Sequence, residues 1–235
     1  MCGRFGQTAT AAELAAAFEA TWRHEAPADL PRFNIAPTQD APVLRMKDGV
    51  RVLDAYRWGL IPSWAKDASI GARMINARAE SVLDKPAFRA AFERRRCLVP
   101  ASGFYEWQKT AAGKVPQWIY PVDGAPLTFA GLWEFWKPVQ EAEPVLTFTI
   151  LTTTPSADVS MVHDRMPVVV APADRDAWLD RETPEDALAA LLRPAPDGSL
   201  RMHAVSTAVN RATNEGPSLI EPMEPEPDLF PGDAG

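Results

Sequence analysis

Between residues 97 and 153 the chain repeats one unit, a short apolar or aromatic run followed by a turn. Candidate strands fall at 97–99, 103–108, 117–120, 127–135 and 145–153. β-Branched and aromatic residues suit a half-buried pleated surface, and strands at this spacing favour a barrel or a curled sheet. This run constrains the fold more than any other feature, because the remaining segments must pack around a β core.

The flanks supply short helices and further strands. Thr10 and Glu13 have the spacing of a capping box and predict a helix over 11–20. Pro27, Pro31 and Pro37 mark irregular chain around Arg32-Phe33-Asn34-Ile35-Ala36-Pro37-Thr38. Asp48-Gly49 between 43–46 and 50–57 reads as a β-hairpin. The segment Trp58-Gly59-Leu60-Ile61-Pro62-Ser63-Trp64 is apolar but broken by Gly and Pro, so a loop laid against the core is expected. Pro86 opens a short helix ending at Arg94. Two strands are expected at 168–170 and 202–205, and two helices at 172–179 and 183–192. No internal repeat or glycine-serine linker divides the chain. A length of 235 residues, 46% of them hydrophobic, fits one α+β domain over 1–223, with an acidic, proline-rich tail at 224–235 that reads as solvated.

Composition narrows the function. No run of 18 apolar residues suggests a membrane span, and Glu13 and Glu19 interrupt the alanines where a leader's apolar region would lie. The expectation is a cytoplasmic protein, nucleoid-associated if it meets DNA, with no membrane partner. Cys2 and Cys97 make no disulfide framework, and Cys97 in Arg96-Cys97-Leu98-Val99-Pro100 reads as a buried structural thiol. With two Cys and three His scattered, no zinc-ligand spacing is visible, and no phosphate loop or dinucleotide motif occurs, so no metal or cofactor is expected. The net charge of −7 argues against nucleic acid. Its distribution softens that objection, since residues 1–100 hold 15 Lys and Arg against 11 Asp and Glu, and binding follows the local field.

Cys2 follows Met1 directly. A small second residue permits removal of the methionine, and the new N-terminus then carries two nucleophiles on adjacent carbons. Reference pKa values of about 7.7–8.0 for the α-amine and about 8.5 for the thiol leave both partly deprotonated near neutral pH. An aldehyde meeting this pair is captured twice, as an imine and then as a five-membered thiazolidine. Equally, Cys2 is an accident of position.

Four polar clusters interrupt apolar sequence: Cys2-Gly3-Arg4, Asn76-Ala77-Arg78-Ala79-Glu80, Gly103-Phe104-Tyr105-Glu106-Trp107 and Met161-Val162-His163-Asp164-Arg165-Met166-Pro167. Glu106 lies among aromatics in a predicted strand. It is either a solvent-face carboxylate or a proton shuttle whose pKa desolvation raises. His163 is either an exposed loop residue or an acid–base group. Asn76 either closes a strand or orients an amine or sugar oxygen. Arg4, Arg78 and Arg165 each sit beside one of these residues, and converging guanidinium groups suit a phosphodiester chain. Trp64, Trp107 and Phe104 are either core or stacking surfaces for bases.

Taken together, these segments resemble the SOS-response-associated peptidase family of abasic-site-processing proteins. Further matching motifs are Phe33-Asn34-Ile35-Ala36-Pro37, Trp58-Gly59-Leu60-Ile61-Pro62-Ser63-Trp64, Ala130-Gly131-Leu132-Trp133, Thr152 and Val205-Ser206 with Val209-Asn210. Each motif alone is weak, and the ordered set from residue 2 to about 223 is highly specific. The resemblance implies a single α+β domain with a β-barrel-like core flanked by short helices. It implies a monomer that captures abasic sites in single-stranded DNA, with Cys2, Asn76, Glu106 and His163 as catalytic residues. It implies phosphate contacts at Arg4, Arg78 and Arg165, with Trp64, Trp107, Thr152 and Pro37 along the DNA groove. A thiol-dependent peptidase using Cys2 is the alternative, and a non-catalytic single-strand binder a third.

Overall fold

The Asp48-Gly49 turn is where sequence becomes structure most directly. Both residues take positive φ, 50° and 79°, as a two-residue type I′ hairpin turn requires. The strands they join pair from Lys47↔Val50 to Asp40↔Arg57. The computed structural model of the chain describes residues 2–111, 113–139 and 141–223. The tail expected at 224–235 lies outside the described residues, as does Met1.

In chain order the strands are β1 (Phe5–Gln7), β2 (Thr21–Trp22), β3 (Arg32–Ile35), β4 (Asp40–Lys47), β5 (Val50–Trp58), β6 (Asn76–Arg78) and β7 (Arg96–Ala101). They continue with β8 (Gly103–Thr110), β9 (Gly113–Pro121), β10 (Leu127–Trp136), β11 (Val145–Thr153), β12 (Met166–Pro167) and β13 (Leu200–Ala204). The helices are α1 (Ala11–Ala17), α2 (Pro86–Arg94), α3 (Ala157–Ser160), α4 (Arg175–Leu179) and α5 (Glu185–Leu191). Strands β11, β10, β7, β4 and β5 lie side by side, and a parallel pairing of Phe148 with Trp58 joins β11 back to β5. The core is therefore a closed five-stranded barrel. A second sheet, in the order β13-β9-β8-β1-β3, packs beside it.

Alternation along the barrel strands explains why they read as nearly continuous apolar runs. Val43, Tyr56, Cys97, Val99, Phe129, Phe148 and Ile150 share one buried cluster. Their chain neighbours Leu44, Leu98, Ala130 and Leu151 share another with Leu14 and Phe18 of the α1 segment, Phe92 of α2 and Trp178 of α4. Both faces of these strands are covered, so period 2 separates two apolar layers rather than apolar from polar. Full burial of each Val, Leu, Ile or Phe among them stabilises by about 1.5–3 kcal/mol. Cys97 is wholly buried, as expected. Arg96, the first residue of β7, spends its guanidinium on the carbonyls of Phe92, Glu93, Trp178 and Asp180 and so ties α2 and the α4 end to the barrel.

Several expected boundaries move for identifiable reasons. The Thr10–Glu13 capping box is present, but the helix expected to reach residue 20 stops at Ala17, because Glu19 enters the left-handed region at φ 49° and turns the chain toward β2. The proline-marked segment around Arg32 forms β3, paired to β1 through Phe5↔Ile35. The strand expected at 168–170 contributes β12 just before it and one bridge, Phe129↔Val169. Its amides and carbonyls reach both β10 and β11, through Ala130 N–H to Val168 O and Val168 N–H to Leu151 O. The helix expected over 172–179 is a 3₁₀ turn followed by α4.

Candidate functional site

Pairing register brings the four polar clusters together. Antiparallel β1 and β8 pair through Phe5↔Phe104, which sets the residues before Phe5 alongside those after Phe104, Glu106 among them. Strand β6 lies parallel to β11 through Ile150↔Asn76 and Thr152↔Arg78. That pairing holds Asn76 where β11 nears its C-terminal end. The chain leaves β11, forms α3, and returns as β12 with Thr152↔Pro167. His163 lies on this return, its backbone N–H bonded to Val159 O at 3.1 Å.

The side chains interlock. Asn76 Nδ2 donates to the Cys2 carbonyl at 2.7 Å, and Asn76 Oδ1 is buried with no hydrogen-bond partner among the described residues. Glu106 is only 3% exposed, and its Oε2 lies 4.0 Å from His163 Nε2. His163 Nδ1 lies 3.0 Å from the Arg165 backbone N–H, and its Nε2 faces Glu106. The exposed Asp164 carboxylate stands 2.9 Å from Nδ1 and offers a partner when the ring is charged.

Burial sets the proton affinities. It raises the Glu106 carboxyl above the usual carboxylate range, against the pull of nearby positive charge that includes His163. Cys2 is wholly buried. Desolvation pushes its thiol far above the ordinary range, and the neighbouring Glu106 charge pushes it further. Burial therefore favours the protonated thiol over the thiolate.

The arginines are not equivalent. Arg4 Nη1 donates to Asn34 Oδ1 and to Val209 O, both at 2.7 Å, and its guanidinium lies 5.9 Å from the centroid of the Trp107 ring. Arg165 is held end-on by Glu80 at 2.6 and 2.8 Å and donates to Thr152 O at 2.6 Å, so any phosphate would share it with Glu80. That ion pair draws the Glu80 carboxyl below the usual range. Arg78 is exposed and forms no salt bridge among the described residues. It lines a groove of about 580 Å³ with Asn76, Met74, Lys85, Phe88 and Trp64, the last 61% exposed.

The remaining expected groove residues divide. Trp107 Nε1 donates to Asn210 Oδ1 at 2.7 Å, which fixes its indole beside Arg4. Pro37 is half-buried just past β3. Thr152 is wholly buried, its hydroxyl near Ala77 O and Arg165. Sequence reasoning missed the supporting shell. Asn34 is fully buried and donates to the carbonyls of Val209, Arg211 and Asn214 while receiving Arg4. A polar residue between Phe33 and Ile35 was the available signal. The described residues contain no cluster of His, Cys, Asp and Glu fit to hold a metal ion, and none of their helices is long and apolar enough to cross a membrane.

The family model described as SOS response associated peptidase (SRAP) matches residues 1–212. The abasic site processing protein YoqW of Bacillus subtilis is 40% identical over 193 residues, covering 81% of this chain and 86% of that protein. YoaM of the same organism, also named an abasic site processing protein, is 37% identical over 223 residues, covering 94% and 98%. The abasic site processing protein HMCES of Gallus gallus is 34% identical over 226 residues, covering 83% and 67%. A crystal structure of a protein from Bacteroides thetaiotaomicron has the same fold at a TM-score of 0.85 and 22% identity, covering 95% of this chain and 100% of that one.

Proposed function

The chain belongs to the SOS response associated peptidase family, and on that premise we propose that it captures abasic sites in single-stranded DNA as a covalent cross-link through Cys2. The names of the relatives support abasic-site processing. The observation that carries the chemistry is the Asn76 contact, in which one amide donates to the Cys2 carbonyl while its oxygen, buried and unpartnered among the described residues, is left to accept.

In this reading Met1 is removed by hydrolysis, and the Cys2 α-amine becomes the donor for Asn76 Oδ1. The amine adds to the C1′ aldehyde of the ring-opened deoxyribose. The carbinolamine then loses water to give an imine, its leaving hydroxyl taking a proton from Glu106. A carboxyl whose pKa is raised by burial can hold that proton near neutral pH and later receive one. The Cys2 S–H then adds across the C=N bond. Sulfur bonds to carbon, the imine nitrogen gains a proton, and Glu106 carries the proton between them. The balance is protein plus DNA minus one water. A buried, protonated thiol suits this order, since it stays inert until the imine forms beside it, and placement matters more here than resting nucleophilicity. His163, whose Nε2 faces the site, serves the sugar oxygen as the ring opens.

Arg78, Arg4 and Arg165 supply phosphate contacts, and the exposed Trp64 a stacking surface. A thiol-peptidase reading is less well supported, because burial drives the Cys2 thiol away from the thiolate such a reaction needs.

The test compares the protein with its Cys2→Ser variant on a single-stranded abasic oligonucleotide, with and without borohydride. The wild type is expected to give a denaturation-resistant adduct without reductant. Cys2→Ser should give one only when borohydride traps the imine. Equal reductant-free adduct from both would remove the thiazolidine from the mechanism.

A further inference from the structure

The Ala130-Gly131-Leu132-Trp133 motif plays no part in the chemistry above. Gly131 lies where a Cβ would come within 2.9 Å of the Cys97 sulfur and 3.1 Å of Val99, so β10 presses against β7 at that point. Two residues on, Trp133 occupies the same face nearer the other end of the barrel. Strands β5 and β11 run parallel, and the candidate active site gathers near the C-terminal end of β11. The hairpin tip before β5 therefore marks the opposite mouth. A cavity of about 610 Å³ opens there, floored by Arg45 and Trp133 and rimmed by Lys47, Arg181 and the acidic residues Asp48, Asp176 and Asp180.

Arg45 is the unusual member. It stands on β4 in the inward-facing register of Ala41 and Val43 and is only 6% exposed. Its Nε donates to Tyr56 Oη at 2.6 Å, and its guanidinium lies 4.9 Å from the Trp133 ring centroid. It has no salt bridge among the described residues, and its Nη2 makes no hydrogen bond there. A nearly buried guanidinium is costly unless its charge is met. Of the nearby carboxylates, Asp176 is engaged by Arg51 at 2.5 Å, Asp54 lies 3.5 Å from Arg23, Asp180 takes the Glu182 N–H at 3.1 Å, and the exposed Asp48 stands on the rim with no salt bridge among the described residues. Lys47 and Arg181 are exposed at the rim, and Arg94 lies beside Trp133 and Arg181 in an adjoining recess.

We propose that this far mouth of the barrel is a second binding site, for a nucleotide: a phosphate held by Arg45, Lys47 and Arg181, with the base against Trp133. Guanidinium and ammonium groups around an indole meet both halves of such a ligand, and the volume lies in the usual range for small-molecule sites. A free mononucleotide and a nucleotide of a DNA strand share this chemistry. The site is independent of Cys2 and stands whether or not the cross-linking reaction is correct.

Titration calorimetry of the full chain at low salt tests it, with dAMP, deoxyadenosine, inorganic phosphate and a short unmodified deoxythymidine oligomer as probes. Saturable dAMP binding is expected, weakened about tenfold or more by Arg45→Met, as for loss of a charge-assisted hydrogen bond. Trp64→Ala, on the active-site groove, should leave dAMP affinity unchanged. The double variant Lys47→Gln with Arg181→Gln, both on the surface, should weaken it severalfold even if Arg45→Met does not fold. Deoxyadenosine and phosphate should each bind more weakly than dAMP. Displacement of bound dAMP by the oligomer would assign the site to a DNA strand, and oligomer binding that leaves dAMP affinity unchanged would assign it to free nucleotides. The proposal is overturned if dAMP gives no saturable heat, or if its binding falls with Trp64→Ala and survives the rim variant.

Discussion

Glu106→Gln separates burial from catalysis in one side chain. The Glu106 carboxyl is 3% exposed, and desolvation raises its proton affinity in the folded chain. In the unfolded chain it titrates near an ordinary value of about 4.3. Above that pH the unfolded chain has released a proton that the folded chain still holds, so the folded state loses stability as pH rises, until its own carboxyl ionises. The slope is at most about 1.4 kcal/mol per pH unit for one proton. Glutamine has no proton to lose. The variant should therefore gain on the wild type across this window, by roughly 3–6 °C in melting temperature per pH unit for a domain of this size. The difference should be constant below the window and again above it. Thermal melts of both proteins from pH 4 upward read this directly. The same variant should lose about 10²–10⁴-fold in cross-linking rate, the usual contribution of a positioned acid–base group. A pH-independent difference, or a variant that loses ground as pH rises, would show that Glu106 is already ionised in the folded protein, and the proton shuttle would lose its basis.

Asn76→Ala removes the 2.7 Å bond to the Cys2 carbonyl. It should slow cross-linking by about 10²-fold through misplacement, with little change in affinity for undamaged single strands by fluorescence anisotropy. Arg78→Ala, at an exposed side chain, should flatten the dependence of log affinity on log salt by about 0.7 for one lost phosphate contact. Deleting 224–235 should leave the cross-link yield on a denaturing gel unchanged, and a loss of folding or yield would show that this tail packs on the core.

The parts of this fold legible in sequence were those governed by local chemistry. Asp48-Gly49 announced its hairpin through positive φ, Thr10 and Glu13 their capping box, and Pro86 a helix start. The barrel strands declared themselves because both faces are apolar. A barrel was expected from their spacing, but the pairing that closes it, Phe148↔Trp58, was not, because it joins residues far apart with no mark on either. Strand β6 is three residues long and, among the described residues, pairs with β11 alone, so its residues alone left Asn76 open between closing a strand and orienting an amine. The candidate site was legible as isolated polar interruptions of apolar sequence, and the resemblance ordered them. What ties them together lay out of reach: Asn34 beneath Arg4, Glu80 across Arg165, and the burial that shuts the Cys2 thiol. The thiol illustrates why, since a reference pKa describes a solvated group, while this one is set by how many neighbours the fold places around it.

The central claim is that Cys2 becomes the point of attachment through both its amine and its sulfur. Its most direct test is intact-mass analysis of the product formed with a single-stranded abasic oligonucleotide, followed by digestion and sequencing of the modified peptide. The account predicts a mass equal to the Met1-processed protein plus DNA minus one water, with the modification on Cys2 in the peptide Cys2-Gly3-Arg4 and neither a free thiol nor a free amine there. An adduct mapped to another residue, or no adduct from protein shown to begin at Cys2, would contradict it.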